Sequence, residues 1–217
     1  PKDNPVIRAA AGQRIFQIKQ GASLTLSNIT LEGNGNVGGN AGLVTVNGGL
    51  QANTGTRFVN GHAASGGALY ISGNGLVALT DAAFRDNQAT LNGGAIATDA
   101  TFSGAVSVTR ALYRDNTATG DGGAVYFAGD RASLQHRTST FYANGAANGG
   151  AIAIAATNSV VSVNNVTMAG QVGGGAVLFP AAADNLVVLT NSAIVGNLGG
   201  SCVGDATAID DAGIAYV

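Results

Sequence analysis

Charged residues are scarce in this sequence. Only 10% of the 217 residues are charged, well below the usual quarter, and the formal net charge is −2. Lysine and arginine form no cluster, whereas nucleic acids and anionic membrane surfaces bind through basic patches. We therefore predict that the chain binds no nucleic acid and does not insert into a membrane.

Cysteine occurs once, at Cys202, and tryptophan is absent. A single cysteine excludes an internal disulfide or a cysteine-based metal site, so Cys202 is either a free thiol or bonded to a partner outside this sequence. No apolar run approaches the roughly 18 residues of a membrane helix, and no signal peptide opens the chain. Because the chain begins at Pro1 without methionine, we interpret it as a segment of a longer, processed protein.

Glycine is abundant, with 34 residues, and 46% of the chain is apolar, which is enough to form the core of one domain. The stretches FRDNQATLNGGAIA at 84–97 and YRDNTATGDGGAVY at 113–126 are near copies. Repeats of 20–50 residues are typical of solenoids. A large residue returns in steps of 27, 26, 29, 28, 27 and 26, at Leu31, Phe58, Phe84, Tyr113, Phe141, Met168 and Ile194.

Two further elements accompany each large residue. A polar residue or glycine lies three positions later, and five of the seven are asparagine, at Asn34, Asn87, Asn116, Asn144 and Asn197. A Gly-Gly-Ala element then follows, with its alanine at Ala68, Ala95, Ala124, Ala151 and Ala176. Apolar residues two apart flank both elements, as Val77 with Leu79 and Leu69 with Ile71 do, which favours short strands over helices.

A unit of about 27 residues that contains about three short strands has the size of one coil of a parallel β-helix. The predicted fold is therefore all-β, a single-stranded right-handed parallel β-helix of about seven coils. We predict one domain over 1–217, with an opening coil at 1–30, regular repeats at 31–197 and an irregular C-terminal segment at 198–217. Seven coils would make a rod about 34 Å long, since stacked strands lie about 4.8 Å apart.

Stacking also gives the repeated residues structural roles. Asn87, Asn116 and Asn144 would hold the corners as a ladder, because stacked asparagine amides bond to one another and asparagine tolerates tight turns. The alanine of each Gly-Gly-Ala element would face outward or lie against a turn, since it alternates with inward-facing residues.

On these FRDN, YRDN and Gly-Gly-Ala-aliphatic elements, the chain resembles the β-helix repeat proteins of bacterial surfaces. These are the polymorphic outer-membrane proteins, related autotransporter-like passengers and exported proteins of the choice-of-anchor Q group. Arg14–Asn34 is similar to their first coils and Leu189–Asp205 to their late coils. The resemblance implies an exported, extracellular or cell-surface module. The chain lacks their polar end caps, so we expect further coils, partner subunits or end-to-end association to cover its ends.

Carboxylates on one wall would be the basis of an enzyme of this fold. Asp86 and Asp115 occupy equivalent positions in adjacent units, as do Arg85 and Arg114. If the chain is an enzyme, these four are the candidate catalytic residues, because glycoside hydrolysis needs two acids about 5–9.5 Å apart and lyase chemistry needs a base beside neutralising groups. The alternative, which we favour, is cross-coil Arg–Asp pairing in solvent.

The remaining ionisable groups suggest no second active site. Asp205, Asp210 and Asp211 match no calcium-binding pattern, and His62 and His136 fall in different units. His136 takes a position held elsewhere by leucine or valine, which predicts a buried, hydrogen-bonded histidine. No nucleophilic, phosphate-binding or metal-binding motif is present, and we predict no cofactor and no metal.

The outward positions after the Gly-Gly-Ala elements offer the best candidate binding surface. Tyr70, Tyr126 and Leu178 would lie on one wall, with the two tyrosines two coils apart and flanked by small residues. Aromatic side chains on such a wall can stack on sugars or anchor a protein partner, although they can also cover neighbouring turns.

These observations predict an extracellular structural or adhesive module that acts through its outer walls, or through end-to-end or lateral self-association. Its partners would be other protein subunits, copies of itself or a cell-surface glycan. A polysaccharide-active lyase or hydrolase that uses Asp86 and Asp115 is the alternative. Ice or mineral binding is less favoured, because no column of Thr-x-Thr repeats is present.

Overall fold

The structure is a computed structural model. It describes residues 4–179 and 184–200, together with the backbone of three short strands at 202–203, 209–210 and 215–216. All regular structure in these residues is β-strand, and the strands pair in parallel in four sheets. Within the described residues there is no helix with the length and hydrophobicity that a membrane span requires.

The strands, numbered β1 to β30 in chain order, stack into the four sheets from one coil to the next. Sheet I contains β1 Val6–Arg8, β4 Thr30–Glu32, β7 Arg57–Val59, β11 Ala83–Arg85, β15 Leu112–Arg114, β19 Thr140–Tyr142, β23 Thr167–Ala169, β27 Ala193–Val195 and β30 Ala215–Tyr216. Sheet II contains β8 His62–Ala63, β12 Gln88–Ala89, β16 Thr117–Ala118, β20 Gly145–Ala146 and β24 Val172–Gly173. Sheet III contains β2 Phe16–Ile18, β5 Val44–Val46, β9 Leu69–Ile71, β13 Ile96–Thr98, β17 Val125–Phe127, β21 Ile152–Ile154, β25 Val177–Leu178 and β28 Cys202–Val203. Sheet IV contains β3 Ser23–Leu26, β6 Gly49–Ala52, β10 Leu76–Thr80, β14 Ala105–Thr109, β18 Ser133–Arg137, β22 Val160–Asn164, β26 Leu186–Thr190 and β29 Ile209–Asp210.

Each full coil passes through sheets III, IV, I and II in turn, which makes the molecule a right-handed parallel β-solenoid. The predicted fold is confirmed, with about seven turns of about 27 residues. The sequence predicted about three strands per coil, and the structure adds the short strands of sheet II. A strand of two residues, such as Gln88–Ala89, is too short to show the alternation by which strands are recognised in a sequence.

The large residues of the repeat form the centre of the core. Phe58, Phe84, Tyr113 and Phe141 are fully buried, and their rings stack face to face with centroid separations of 4.7, 5.0 and 4.6 Å. This spacing matches the roughly 4.8 Å between stacked strands, so each ring fills the space above the ring of the coil before it. The aromatic column is therefore a direct consequence of coil stacking.

The Gly-Gly-Ala element is a left-handed turn that favours glycine, and Ala41 adopts the same conformation in an earlier coil. Gly93 has a φ of +66°, in the left-handed region. A Cβ on Gly94 would lie 2.1 Å from the carbonyl oxygen of Gly123 in the next coil, so a side chain there would collide with backbone. The first glycine makes the turn and the second allows the coils to approach one another.

The alanines of these elements were predicted to face outward or to lie against a turn, and they lie beside the glycine turn and face inward. All five are fully buried in the hydrophobic core, at Ala68, Ala95, Ala124, Ala151 and Ala176. The alternation rule applies within a strand, whereas each of these alanines precedes its strand and follows the glycine turn. The turn directs the alanine inward, and the next residue, such as Ile96 after Ala95, is inward as well.

Candidate functional site

The predicted corner asparagines lie inside the coils and are bonded to one another. The Asn116 Oδ1 accepts from both the backbone N–H and the side-chain amide of Asn87, at 3.2 and 2.9 Å. Asn144 accepts in the same way from Asn116, at 3.1 and 2.9 Å, and Gln171 continues the series above Asn144. Each amide also donates to the carbonyl of a large residue, as Asn116 does to Phe84 at 3.1 Å. This asparagine ladder is buried and offers no surface for a ligand.

The structure places the four candidate catalytic residues in two adjacent coils, as the sequence predicted. Arg85 pairs in register with Arg114, which brings Asp86 and Asp115 to adjacent coils. Asp115 forms its ion pair with Arg114 of its own coil, 2.8 Å apart, rather than across coils as we expected. Cross-coil pairs form elsewhere, between Arg8 and Glu32 and between Arg110 and Asp81.

The backbone explains why aspartate occurs at these two positions. Asp86 and Asp115 have φ values of 56° and 55°, a left-handed conformation that aspartate tolerates better than most residues. The equivalent positions of other coils are also left-handed and hold Asn60, Ala143, Gly170 and Gly196. The two carboxylates thus belong to a column of turn-forming residues.

His136 is buried in the core, but it has no hydrogen-bond partner, contrary to the sequence prediction. Both ring nitrogens are unpaired, and the imidazole packs edge-on against Tyr113 and Phe141, with centroids 5.6 and 5.3 Å away. Burial lowers the pKa of His136 to about 3, so the ring is neutral at physiological pH. His62 lies apart from it, at the start of β8 in sheet II.

The predicted binding residues share one outward column of sheet III. Tyr70 pairs with Ala97, Ala97 with Tyr126, and Ala153 connects Tyr126 to Leu178. We call this outer face of sheet III the tyrosine wall. Burial raises the pKa of Tyr70 and of Tyr126, and the carboxylates of Asp99 and Asp121, respectively, add to the shift. Both phenols therefore remain protonated hydrogen-bond donors at neutral pH.

The alanines between the tyrosines do not contribute surface to the tyrosine wall. Ala97 and Ala153 are fully buried, because the glycine turn before each strand folds over them. A Cβ on Gly93 would lie 2.9 Å from the Cβ of Ala97. The wall therefore presents tyrosines separated by covered positions, whereas the sequence predicted tyrosines flanked by small residues on one wall.

A groove of about 300 Å³ lies at the N-terminal side of the tyrosine wall, against Tyr70. We call it the Tyr70 pocket. Its lining comes from three consecutive coils and comprises Arg14, Gln17, Ile18, Lys19, Gln20, Asn40, Thr45, Asn47, Tyr70 and Ser72. Sequence reasoning identified Tyr70 but missed the others, because polar residues that differ from coil to coil carry no repeat signal.

The outer face of sheet IV is the second surface that sequence reasoning missed. Arg137 is the sole Lys, Arg, Asp or Glu in the strands β3, β6, β10, β14, β18, β22 and β26. We call the outer face of these seven strands the neutral wall. Leu76, Val160 and Leu186 occupy one outward column of it and are 61%, 48% and 58% exposed. A groove of about 360 Å³ runs past Leu76.

No group of three potential metal ligands occurs among the described residues. Asp205 and Asp211 lie outside the described residues, as do the side chains of Cys202 and Asp210. Comparisons of the chain with protein-family models, with curated proteins and with solved structures gave no match. The fold alone defines the class of protein. It is a parallel β-solenoid that carries the tyrosine wall and the neutral wall on its outer surface.

Proposed function

We propose that this chain is an extracellular or cell-surface structural and adhesive module. Copies of it associate side by side through the neutral wall. The observation that supports the proposal is the composition of this wall. Seven parallel strands present polar uncharged and small side chains, and three large aliphatic side chains are exposed in one column. Exposed apolar side chains grouped on one face mark interaction sites more often than scattered ones do.

A second copy of the chain is the partner that fits this wall best. The columns of side chains repeat at the strand spacing of about 4.8 Å in every copy. The side chains of one wall can therefore fit between those of another, as in packed sheets. With almost no charge, two such faces meet without like-charge repulsion. Seven strands of about five residues span on the order of 500 Å², below the roughly 800 Å² per partner of a standard interface, so a single contact would be weak and reversible.

Sedimentation velocity over a range of protein concentrations tests this proposal. The wild-type sedimentation coefficient should rise with concentration, and L76K combined with L186K should remain monomeric because it places two charges on the wall. L91K is the matched control, since Leu91 is 57% exposed but lies in a turn outside the neutral wall. A wild-type protein that stays monomeric at every concentration, or a control that also loses association, contradicts the proposal.

A further inference from the structure

The Tyr70 pocket is a concentration of positive charge in an otherwise weakly charged chain. Arg14 and Lys19 both line it, and none of its lining residues is acidic. Within the described residues, neither cation forms an ion pair. Arg8, Arg110 and Arg114, in contrast, each hold a carboxylate at 2.7–2.8 Å. Two cations without a carboxylate partner are available to an anion from outside the chain.

One polar atom at the pocket makes no hydrogen bond within the protein. Thr45 lies between Gln17 and Tyr70 in the outward column of sheet III, and its Oγ1 is buried without a hydrogen-bond partner. A buried polar atom left unpaired costs free energy. Because this Oγ1 is closed to solvent, a ligand hydroxyl would bind instead to the amides of Gln17 and Asn47, which offer both donors and acceptors.

The shape and the aromatic group restrict the kind of ligand. A volume of about 300 Å³ lies at the lower end of ligand pockets, which suits a single ring. Tyr70 is a half-buried aromatic residue of the lining, and aromatic rings can pack against the C–H side of a sugar. The planar guanidinium of Arg14 suits a carboxylate, which it can hold through two parallel hydrogen bonds.

We infer that the Tyr70 pocket binds a hexuronate unit of a glycan, with its carboxylate on Arg14 and Lys19, its ring against Tyr70 and its hydroxyls on the amides of Gln17 and Asn47. This inference rests on the proposed adhesive role and names a ligand for it. It concerns the tyrosine wall rather than the neutral wall. Loss of sugar binding and loss of lateral association would therefore be observed separately.

Calorimetric titration of the purified chain with a β-1,4-linked glucuronate trimer tests the inference. Cellotriose is the matched ligand, because it has the same linkage and ring and lacks only the carboxylates. We expect the trimer to bind and cellotriose to bind at least tenfold more weakly. R14Q and K19Q should each weaken binding at least tenfold, because each removes charge-assisted hydrogen bonding to the carboxylate. R57Q, which changes an exposed arginine of sheet I, should leave binding unchanged.

The contributions of the Tyr70 ring and of the anionic group are tested separately. Y70F should keep most of the affinity and Y70A should lose it, because the ring face is the contact. Inorganic phosphate, which carries charge but no ring, should bind more weakly than the trimer and be insensitive to Y70A. The inference is overturned if the trimer does not bind, if cellotriose binds equally, if R14Q has no effect, or if phosphate binds as tightly as the trimer.

Discussion

The interior of the solenoid repeats the same residue types from coil to coil, whereas its outer walls do not. Asn87, Asn116 and Asn144 are stacked inside, where each makes the same bonds as its neighbour. The outward column of sheet III instead changes from Thr45 to Tyr70 within one coil step. Inward positions are constrained by the coils above and below them, while outward positions are free to vary. Recurring residues therefore report on the fold, and the changes along a wall are where binding can reside.

Among the substitutions that test this difference between interior and wall, the largest loss of stability is expected in the aromatic column. F84A removes a fully buried ring between Phe58 and Tyr113 and should lower the free energy of unfolding by about 3–5 kcal/mol. Denaturant unfolding measures the loss. Y142A, on the outer side of β19, should cost less than about 1 kcal/mol. Equal losses for the two variants would contradict the distinction between interior and wall.

The asparagine ladder should be nearly as sensitive. N116A leaves the backbone and side-chain N–H groups of Asn87 and the carbonyl of Phe84 without their partner. An intramolecular hydrogen bond contributes about 0.5–1.5 kcal/mol net, so the loss of these three should lower the free energy of unfolding by roughly 2–4 kcal/mol in denaturant unfolding. N74A, in an exposed turn, serves as the control and should change the free energy of unfolding by less than about 0.5 kcal/mol.

His136 makes the interior sensitive to acid. Its pKa is about 3 in the folded chain and about 6.5 ordinarily, so between these values the unfolded state binds a proton that the folded state does not. Stability should therefore fall as the pH decreases below 6.5, by about 2 kcal/mol at pH 5 from this residue alone. H136V introduces the residue found at Val108 and Val163, its neighbours in register, and should remove this part of the pH dependence. An unchanged slope would show that His136 is not neutral inside the fold.

The smallest effect is expected on the wall carboxylates. D86N with D115N keeps residues that tolerate the left-handed turn, so stability should change by less than about 0.5 kcal/mol. Neither the wild type nor this variant should release shortened or unsaturated products from a panel of acidic and neutral polysaccharides. Release by the wild type that the double variant abolishes would establish an enzyme and contradict the structural role.

Much of the interior could be predicted from the sequence, because stacking gives each recurring position the same neighbours in every coil. The steps from Phe58 to Phe84 and from Phe84 to Tyr113 are pairings in register. For the alanine after each glycine pair the sequence left open an outward position or one against a turn, since its direction depends on the backbone of the turn and not on strand alternation. The missing hydrogen bond of His136 was equally hidden, because a sequence does not show which groups surround a buried ring.

By itself, the sequence determined that the chain coils about every 27 residues and which large residues fill the core. These facts follow from the repeat, and the repeat follows from the need to fill the same space in every coil. Only the tertiary structure decided that Arg14, Lys19, Thr45 and Tyr70 line one pocket and that the neutral wall is almost without charge. Such surfaces combine residues from different coils that share no pattern, and the stacking of coils alone brings them together.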